Sequence, residues 1–448
     1  MNILFTTSAP PDKSPFSTEE KRPPLGLGFL ISIVRNAGHN VFFIDNYLTP
    51  SNFLEEGYLQ ANKINFVAIY ANTICYRDTL RMFNKMDNLR KKGEWNGKII
   101  VGGPHTSVAL KTIPDFVDFI VQGEGEVAIL DIINGKEKER VVRKSRISDL
   151  DSLPFQPWDI FSKLPYHLFC GWFDEAPVYT MNTSRGCPFN CSFCSVGSIW
   201  EKNYSYLSAD RIISEIEYLK NYHGAKGIYF REDHFTLNEK RTEDFCLKMI
   251  DRNVNIAWAC ETRVDKVSDN LVKLMSASGC KAVYLGVESG SQKILDSLCK
   301  GTTVDQIEKA IRYFKKYNIN CYCSFIVGTP EETFEDFLLT RDLIKRLNPY
   351  SSGFCVFVGV PNSPLYNDIL NNKSYEYKDD VGLLYMPGFD IKCKYFYKKS
   401  SHQCVDYVFK KRTTFDRKLQ IDHYKKVLGR VFSRLTLNLF REKWQIHS

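Results

Sequence analysis

Two kinds of hydrophobic pattern alternate along this chain. Short continuous apolar runs at Asn2–Thr7, Asn40–Ile44, Asn65–Tyr70, Lys98–Val101 and Asp118–Val121 read as strands buried on both faces. Between them, Leu25–Ala37 and Thr79–Leu89 place apolar residues at three- and four-residue spacing, the signature of one helix face. Gly38 follows the first of these as a natural C-cap. Strands alternating with helices at this interval predict a parallel, doubly wound, Rossmann-like α/β sheet over residues 1–140. Ligands of such sheets collect beyond the carboxyl ends of the strands. There the chain offers Gly102-Gly103-Pro104-His105 and Gly123-Glu124-Gly125-Glu126.

The pattern breaks over residues 141–177. From Ile147 to Pro177 the chain is rich in proline and aromatics (Leu153-Pro154-Phe155-Gln156-Pro157-Trp158), so a linker packed between two domains is expected. At Val178 alternation resumes, with strands at Val178–Asn182, Gly227–Phe230, Ile256–Glu261, Ala282–Glu288, Cys321–Val327 and Gly353–Val358. Helical patterns separate them at Ala209–Tyr222, Glu239–Arg252, Asp269–Ala277, Val304–Tyr317 and Glu331–Leu347. Two helix starts carry capping boxes, Thr303-Val304-Asp305-Gln306 and Thr329-Pro330-Glu331-Glu332. Six βα units predict a partial TIM-type barrel over residues 178–365, followed by a C-terminal region over 366–448.

Composition narrows the function classes. With 44% hydrophobic and 25% charged residues, the 448-residue chain can bury substantial cores. No apolar run approaches the roughly 20 residues of a bilayer span. Met1-Asn2-Ile3-Leu4-Phe5 opens into a strand pattern with no basic leader, so a cytoplasmic location is expected. The net charge of +8 is a property of one segment: Lys410–Lys443 holds eleven Lys/Arg against three Asp/Glu, and the remainder balances. A charge-balanced body gives nucleic acid no electrostatic footprint. In that segment Val427, Leu428, Val431, Leu435, Leu439 and Phe440 recur at helical spacing among Lys425, Lys426, Arg430, Arg434 and Arg441. Such a helix either docks on the barrel with its cations solvated or lies on an anionic membrane or an acidic partner.

Of the fourteen cysteines, Cys187, Cys191 and Cys194 stand apart by their Cys-x3-Cys-x2-Cys spacing, in Arg185-Gly186-Cys187-Pro188-Phe189-Asn190-Cys191-Ser192-Phe193-Cys194. Most cubane clusters take four thiolates, so three leave one iron open to a ligand that is not protein. Structural zinc usually takes four protein ligands in spaced pairs, and no second pair lies at a matching offset. The other cysteines, among them Cys260, Cys321, Cys323 and Cys355, sit in strand patterns as small apolar side chains.

The cysteine loop, with an aromatic before its third cysteine, resembles the signature of the radical S-adenosylmethionine (SAM) superfamily. That resemblance implies a [4Fe–4S] cluster on Cys187, Cys191 and Cys194, with SAM on the open iron. It also implies SAM contacts at the later strand ends: Phe193 in the loop, Glu232 and Asp233 for the amine, Arg263 for the carboxylate, Glu288 for the ribose and Gly328 beside the adenine. Chemically these fit, since paired carboxylates suit an ammonium and an arginine fork suits a carboxylate. Arg263 is equally apt for an ion pair within the protein. His234, Tyr284, Tyr322 and Cys323 either face substrate or belong to the core.

The first domain lacks the Gly-x-Gly-x-x-Gly turn of a dinucleotide site; its first turn reads Thr6-Thr7-Ser8-Ala9-Pro10. Pro23-Pro24-Leu25-Gly26-Leu27-Gly28 and the two Gly-rich strand ends resemble the cobalamin-binding domain that precedes the barrel in one large radical SAM subgroup. This implies cobalamin contacts at Pro24, Leu25, Gly26, Gly102, Gly103, His105, Gly123 and Glu124. The Asp-x-His-x-x-Gly motif that supplies a cobalt-ligating histidine is absent; His39 and His105 both lack its spacing. The implied activity is reductive cleavage of SAM to a 5′-deoxyadenosyl radical that attacks a small-molecule substrate, with cobalamin-dependent C-methylation as the first outcome. A flavodoxin- or ferredoxin-type electron donor is implied with it. Dehydration, cyclisation or rearrangement without methyl transfer is the alternative, ahead of RNA modification or a purely electron-carrying cluster.

Overall fold

The computed structural model describes residues 1–9, 21–51, 53–54, 57–372, 375–377, 382–386 and 402–405. The amphipathic segment Val427–Arg441 lies outside the described residues.

The first domain is a six-stranded parallel sheet. Its strands are β1 (Asn2–Thr7), β2 (Asn40–Ile44), β3 (Phe66–Tyr70), β4 (Lys98–Gly102), β5 (Phe119–Gln122) and β6 (Val141–Arg143), in the order β2-β1-β3-β4-β5-β6. Ile3, Leu4 and Phe5 of β1 are fully buried, as a central strand covered on both faces requires. The order reverses between β1 and β3, which opens a crevice at their carboxyl ends. Several short elements escaped the hydrophobic pattern, among them the helices Tyr58–Ala61 and Pro104–Val108. The helix Glu126–Ile133 is only eight residues long, and β6 is a three-residue edge strand.

The second domain is an open barrel. β7 (Val178–Met181) leads into a two-residue antiparallel pair, β8 (Ser184–Arg185) with β9 (Ser205–Tyr206). Then follow β10 (Gly227–Phe230), β11 (Ala257–Thr262), β12 (Cys280–Glu288), β13 (Asn320–Val327) and β14 (Ser351–Val356). β7 and β10–β14 pair in parallel, each with its successor. Helices cover the outer face, and between them and the sheet Phe230, Phe235, Phe245 and Trp258 meet edge to face or stacked, with centroids 4.6–5.8 Å apart. The Thr303–Gln306 capping box forms. The Thr329–Glu332 box does not: the helix begins at Phe334, capped by Thr333 with Asp336. Glu332 instead turns back, and its carboxylate accepts the Gly328 N–H at 2.5 Å.

The segment between the domains welds them together. Leu150, Leu153, Trp158 and Phe161 join one apolar core with Leu25, Phe29 and Leu48 of the first domain and Ile212 and Ile216 of the barrel helix Ala209–His223. Glu215 on that helix is the polar anchor. Its carboxylate accepts Trp158 Nε1 at 2.8 Å and Gln156 N at 3.1 Å, and pairs with Arg211 at 2.8 Å. Further on, Trp172 enters the barrel, stacked on Tyr322 (5.6 Å) and edge-on to Tyr229 (5.3 Å). Ala257, Ala259 and Ala282 line the lumen there, in one cluster with Phe173 and Val178; small side chains leave room for the insert. The amino end of the lumen is therefore filled and its carboxyl end remains open. Among the described residues, no helix is long and apolar enough to cross a membrane.

Removing the Glu215 carboxylate strands two buried donors and a buried cation. Glu215→Ala is expected to cost about 3–5 kcal/mol, read as a lower denaturation midpoint, with earlier proteolytic cleavage within residues 147–177.

Candidate functional site

The cysteine loop is an excursion closed at its base by the β8–β9 pair. Glu232, at the end of β10, fixes the approach: its carboxylate accepts the backbone N–H of Thr183, that of Ser184 at 2.9 Å and the Thr183 hydroxyl at 2.9 Å. Arg241 backs this group from behind, bonded to Leu207 O (3.0 Å) and Phe235 O (3.2 Å). Next comes Gly186 at φ +87°, where a Cβ would collide with the Asn203 carbonyl and Trp200. Only glycine fits both the left-handed backbone and the contact. The Gly186 N–H donates to Asp233 at 3.2 Å.

Arg263, at the end of β11, braces the far side of the loop. Its guanidinium stacks on Phe189 at 3.8 Å and stands 3.5 Å from Cys191 Sγ. Its other donors go to Asp265 (2.8 Å) and the Lys300 carbonyl (2.6 Å). The Lys300 ammonium in turn pairs with Glu288 at 2.6 Å, and Glu288 itself sits at φ +66°. Burial raises the Cys187 thiol, and Cys194 to about 11, so these thiols hold protons that a metal would displace. Asp233 is pushed up to about 6, chiefly by burial, against the pull of the Gly186 N–H.

A single cavity of about 820 Å³ joins this loop to the first domain, toward the upper end of the usual range for small-molecule sites. Cys187, Cys191, Cys194 and Phe193 line one side; Leu25, Gly26, Gly102, Gly103 and Gly123 line the other. Asp233, Glu232, Arg263 and Glu288 border the barrel mouth, and Tyr284 and Glu261 lie deeper. Burial raises Glu261 to about 7, and its carboxylate accepts the Tyr229 hydroxyl at 2.5 Å.

Glu124 lies in the wall but is already engaged. It accepts the Ile147 N–H (2.6 Å) and shares Arg185 with Glu126, at 3.2 and 2.5 Å. Arg185 directly precedes the cysteine loop and lies over the Phe29 ring at 5.3 Å. It is thus a mostly buried cation, 12% of its side chain exposed, that ties the loop to the first sheet.

Three expected residues stand away from the cavity. His105 is fully buried: its ring stacks on Tyr76 at 3.7 Å, and its nitrogens meet Thr73 (3.2 Å) and Thr112 (2.9 Å). It cannot reach a ligand in the cavity, and burial lowers it to about 4. Gly328 lies under Met386 and Val405, which occupy the space its missing side chain leaves. Pro24 precedes the wall residues Leu25 and Gly26 without joining them. His234 and Cys323 are core residues, whereas Tyr284 faces the cavity.

Sequence reading missed Arg185 and Lys300. Both sit beside glycines in polar stretches, where a solvated cation is the ordinary expectation. Their partners lie about 60 residues upstream for Arg185 and 12 for Lys300. No local spacing signals either pair.

Two outcomes follow. Gly186→Ala should prevent the loop from closing, so the reconstituted variant should hold several-fold less iron and show correspondingly weaker cluster absorption. His105 ties stability to pH: its folded value lies below the unfolded 6.5, so stability is full above that and falls as pH drops toward 4. Between pH 7 and 5 this amounts to about 2 kcal/mol. His105→Gln should flatten that loss in urea titrations; an unchanged slope would place the acid sensitivity elsewhere.

Residues 181–344 match the radical SAM superfamily, and residues 17–133 match the B12 binding domain. An uncharacterized methyltransferase of Pyrococcus horikoshii is 30% identical over 373 residues, covering 78% of this chain and 79% of the relative. An anaerobic magnesium-protoporphyrin IX monomethyl ester cyclase of Cereibacter sphaeroides is 26% identical, over 78% of this chain and 60% of that one. In fold, the radical SAM methyltransferase TsrM from Kitasatospora setae superposes with a TM-score of 0.67 at 14% identity, covering 85% of this chain and 79% of TsrM. The cobalamin-dependent SAM radical enzyme OxsB gives 0.65 at 18%, over 83% and 55%. The chain belongs to the radical SAM superfamily and carries a B12-binding domain ahead of its radical SAM domain.

Proposed function

We propose that this enzyme is a cobalamin-dependent radical SAM methyltransferase acting on a carbon of a small-molecule substrate. The observation that carries the proposal is the shared cavity: the three cysteines and the glycine-lined edge of the first sheet face one space. A methyl group carried at one side would then lie within reach of a carbon activated at the other. The chemistry the bound groups supply is one-electron cleavage of a sulfonium bond and carriage of a methyl group.

The chain's own residues supply placement. Cys187, Cys191 and Cys194 would hold the cluster. Asp233 is the carboxylate best placed for the SAM amine. Glu232 is spent on the loop's backbone and acts as its anchor. Arg263, braced by Asp265, would keep the SAM carboxylate beside Cys191, and the Lys300–Glu288 pair would border the ribose. Gly26, Gly102, Gly103 and Gly123 present bare backbone, as a broad macrocycle requires. No histidine lines the cavity among the described residues. Filling of the lumen by Trp172 keeps water from the reacting end.

The likeness to the protoporphyrin ester cyclases favours, as second reading, a ring closure without methyl transfer. Anaerobic reconstitution with iron, sulfide and hydroxocobalamin, followed by SAM and a strong reductant, separates the two. The proposal predicts stoichiometric cobalamin retention and SAM-dependent methylation of the cobalt with equimolar S-adenosylhomocysteine. Deoxyadenosine from protein that retains no cobalamin would establish the second reading instead.

A further inference from the structure

A second set of metal-type side chains lies outside the cavity. Glu332 belongs to the turn between β13 and the helix Phe334–Leu347, and His402 and Cys404 come from the C-terminal segment 402–405. One ligand atom from each lies within 4.8 Å of the other two. Cys404 is fully buried and Glu332 is 7% exposed. None of the three lines the catalytic cavity.

The Glu332 carboxylate takes backbone hydrogen bonds from Gly328 and Thr329, and no lysine or arginine pairs with it among the described residues. A buried carboxylate with so few partners is costly, and a divalent ion would offset that cost. Carboxylate, imidazole and thiol together form a borderline-soft donor set, the set that selects zinc over magnesium or calcium.

We propose that Glu332, His402 and Cys404 supply three ligands of a zinc site, the fourth position falling to water, that fastens the C-terminal segment across the carboxyl end of β13. Zinc would displace the Cys404 proton to solvent and bind the thiolate, with no change of oxidation state. The fastening has a visible consequence for the barrel. Cys404 and Val405 pack with Val327, Phe357 and Met386, and Val405 and Met386 cover Gly328. The zinc therefore holds down the cover that closes this strand end, while the cluster loop opens into the cavity.

The test uses the full-length protein, reconstituted anaerobically with iron and sulfide, incubated with Zn²⁺ and desalted. Metal analysis should find one zinc per chain besides the cluster iron. Absorption at the zinc edge should show one sulfur at about 2.3 Å and lighter ligands at about 2.0–2.2 Å. Cys404→Ser and His402→Ala should each weaken zinc retention about tenfold or more, with iron content unchanged. The triple Cys187→Ala, Cys191→Ala, Cys194→Ala variant should lose iron and keep zinc. Absence of zinc from the wild type would overturn the proposal. So would three sulfurs in the zinc shell, or zinc lost with the cluster cysteines, since either places the ion on the cluster loop. If a single variant fails to fold, the wild-type ligand shell and the triple variant still decide.

Discussion

The arrangement depends on one mostly buried cation. Arg185, the residue before Gly186-Cys187, is held by Glu124 and Glu126 from the fifth strand end of the other domain. With little water to screen it, such a contact is costly to break, about 3–5 kcal/mol when one partner is removed. Its geometry therefore fixes where the cysteine loop stands relative to the first sheet. A surface pair would leave that distance soft; a buried fork shared by two carboxylates does not. The neighbouring contacts extend the same tie, because Glu124 also accepts the first backbone N–H of the linker, at Ile147.

This tie matters because each domain presents the same kind of edge. Parallel sheets place loops and helix starts at the carboxyl ends of their strands, and ligands collect there. Two such edges facing one another make a single chamber in which the chemistry of one can act on the other. The linker serves this in two ways. Trp158 and Phe161 fuse the two cores, and Trp172 fills the amino end of the lumen, so the chamber has one open end. Within it, Glu232 and Arg263 do more holding than binding. Each strand end thus contributes a brace for the loop as well as a wall for the ligand.

Much of this was legible in the sequence, and the remainder was not for definable reasons. Apolar runs place every strand of the two sheets except the short edge strand β6, because burial on two faces leaves a strong pattern. Cys187, Cys191 and Cys194 stand out because their Cys-x3-Cys-x2-Cys spacing is local in the chain. His105 misleads: beside Gly102-Gly103 it reads as a ligand, yet one residue past the glycines the chain turns inward and stacks it on Tyr76. Gly328 misleads for the opposite reason, since its bare Cα is needed against Met386 and Val405 and not against a cofactor. Capping chemistry at Thr329–Glu332 is mimicked by Thr333–Asp336 four residues later, and only packing chooses between them. Arg185 and Lys300 are illegible because their meaning lies in partners brought near by the fold.

The central claim is that the cluster loop and the glycine-lined sheet edge hold their two cofactors in one chamber. Electron paramagnetic resonance of the reduced holoprotein, with cobalamin as cob(II)alamin and the cluster as [4Fe–4S]⁺, tests this most directly. The account predicts mutual dipolar broadening and faster relaxation of the cobalt signal when the cluster is reduced. Two independent signals, unchanged by each other's redox state in protein that retains both cofactors, would contradict it.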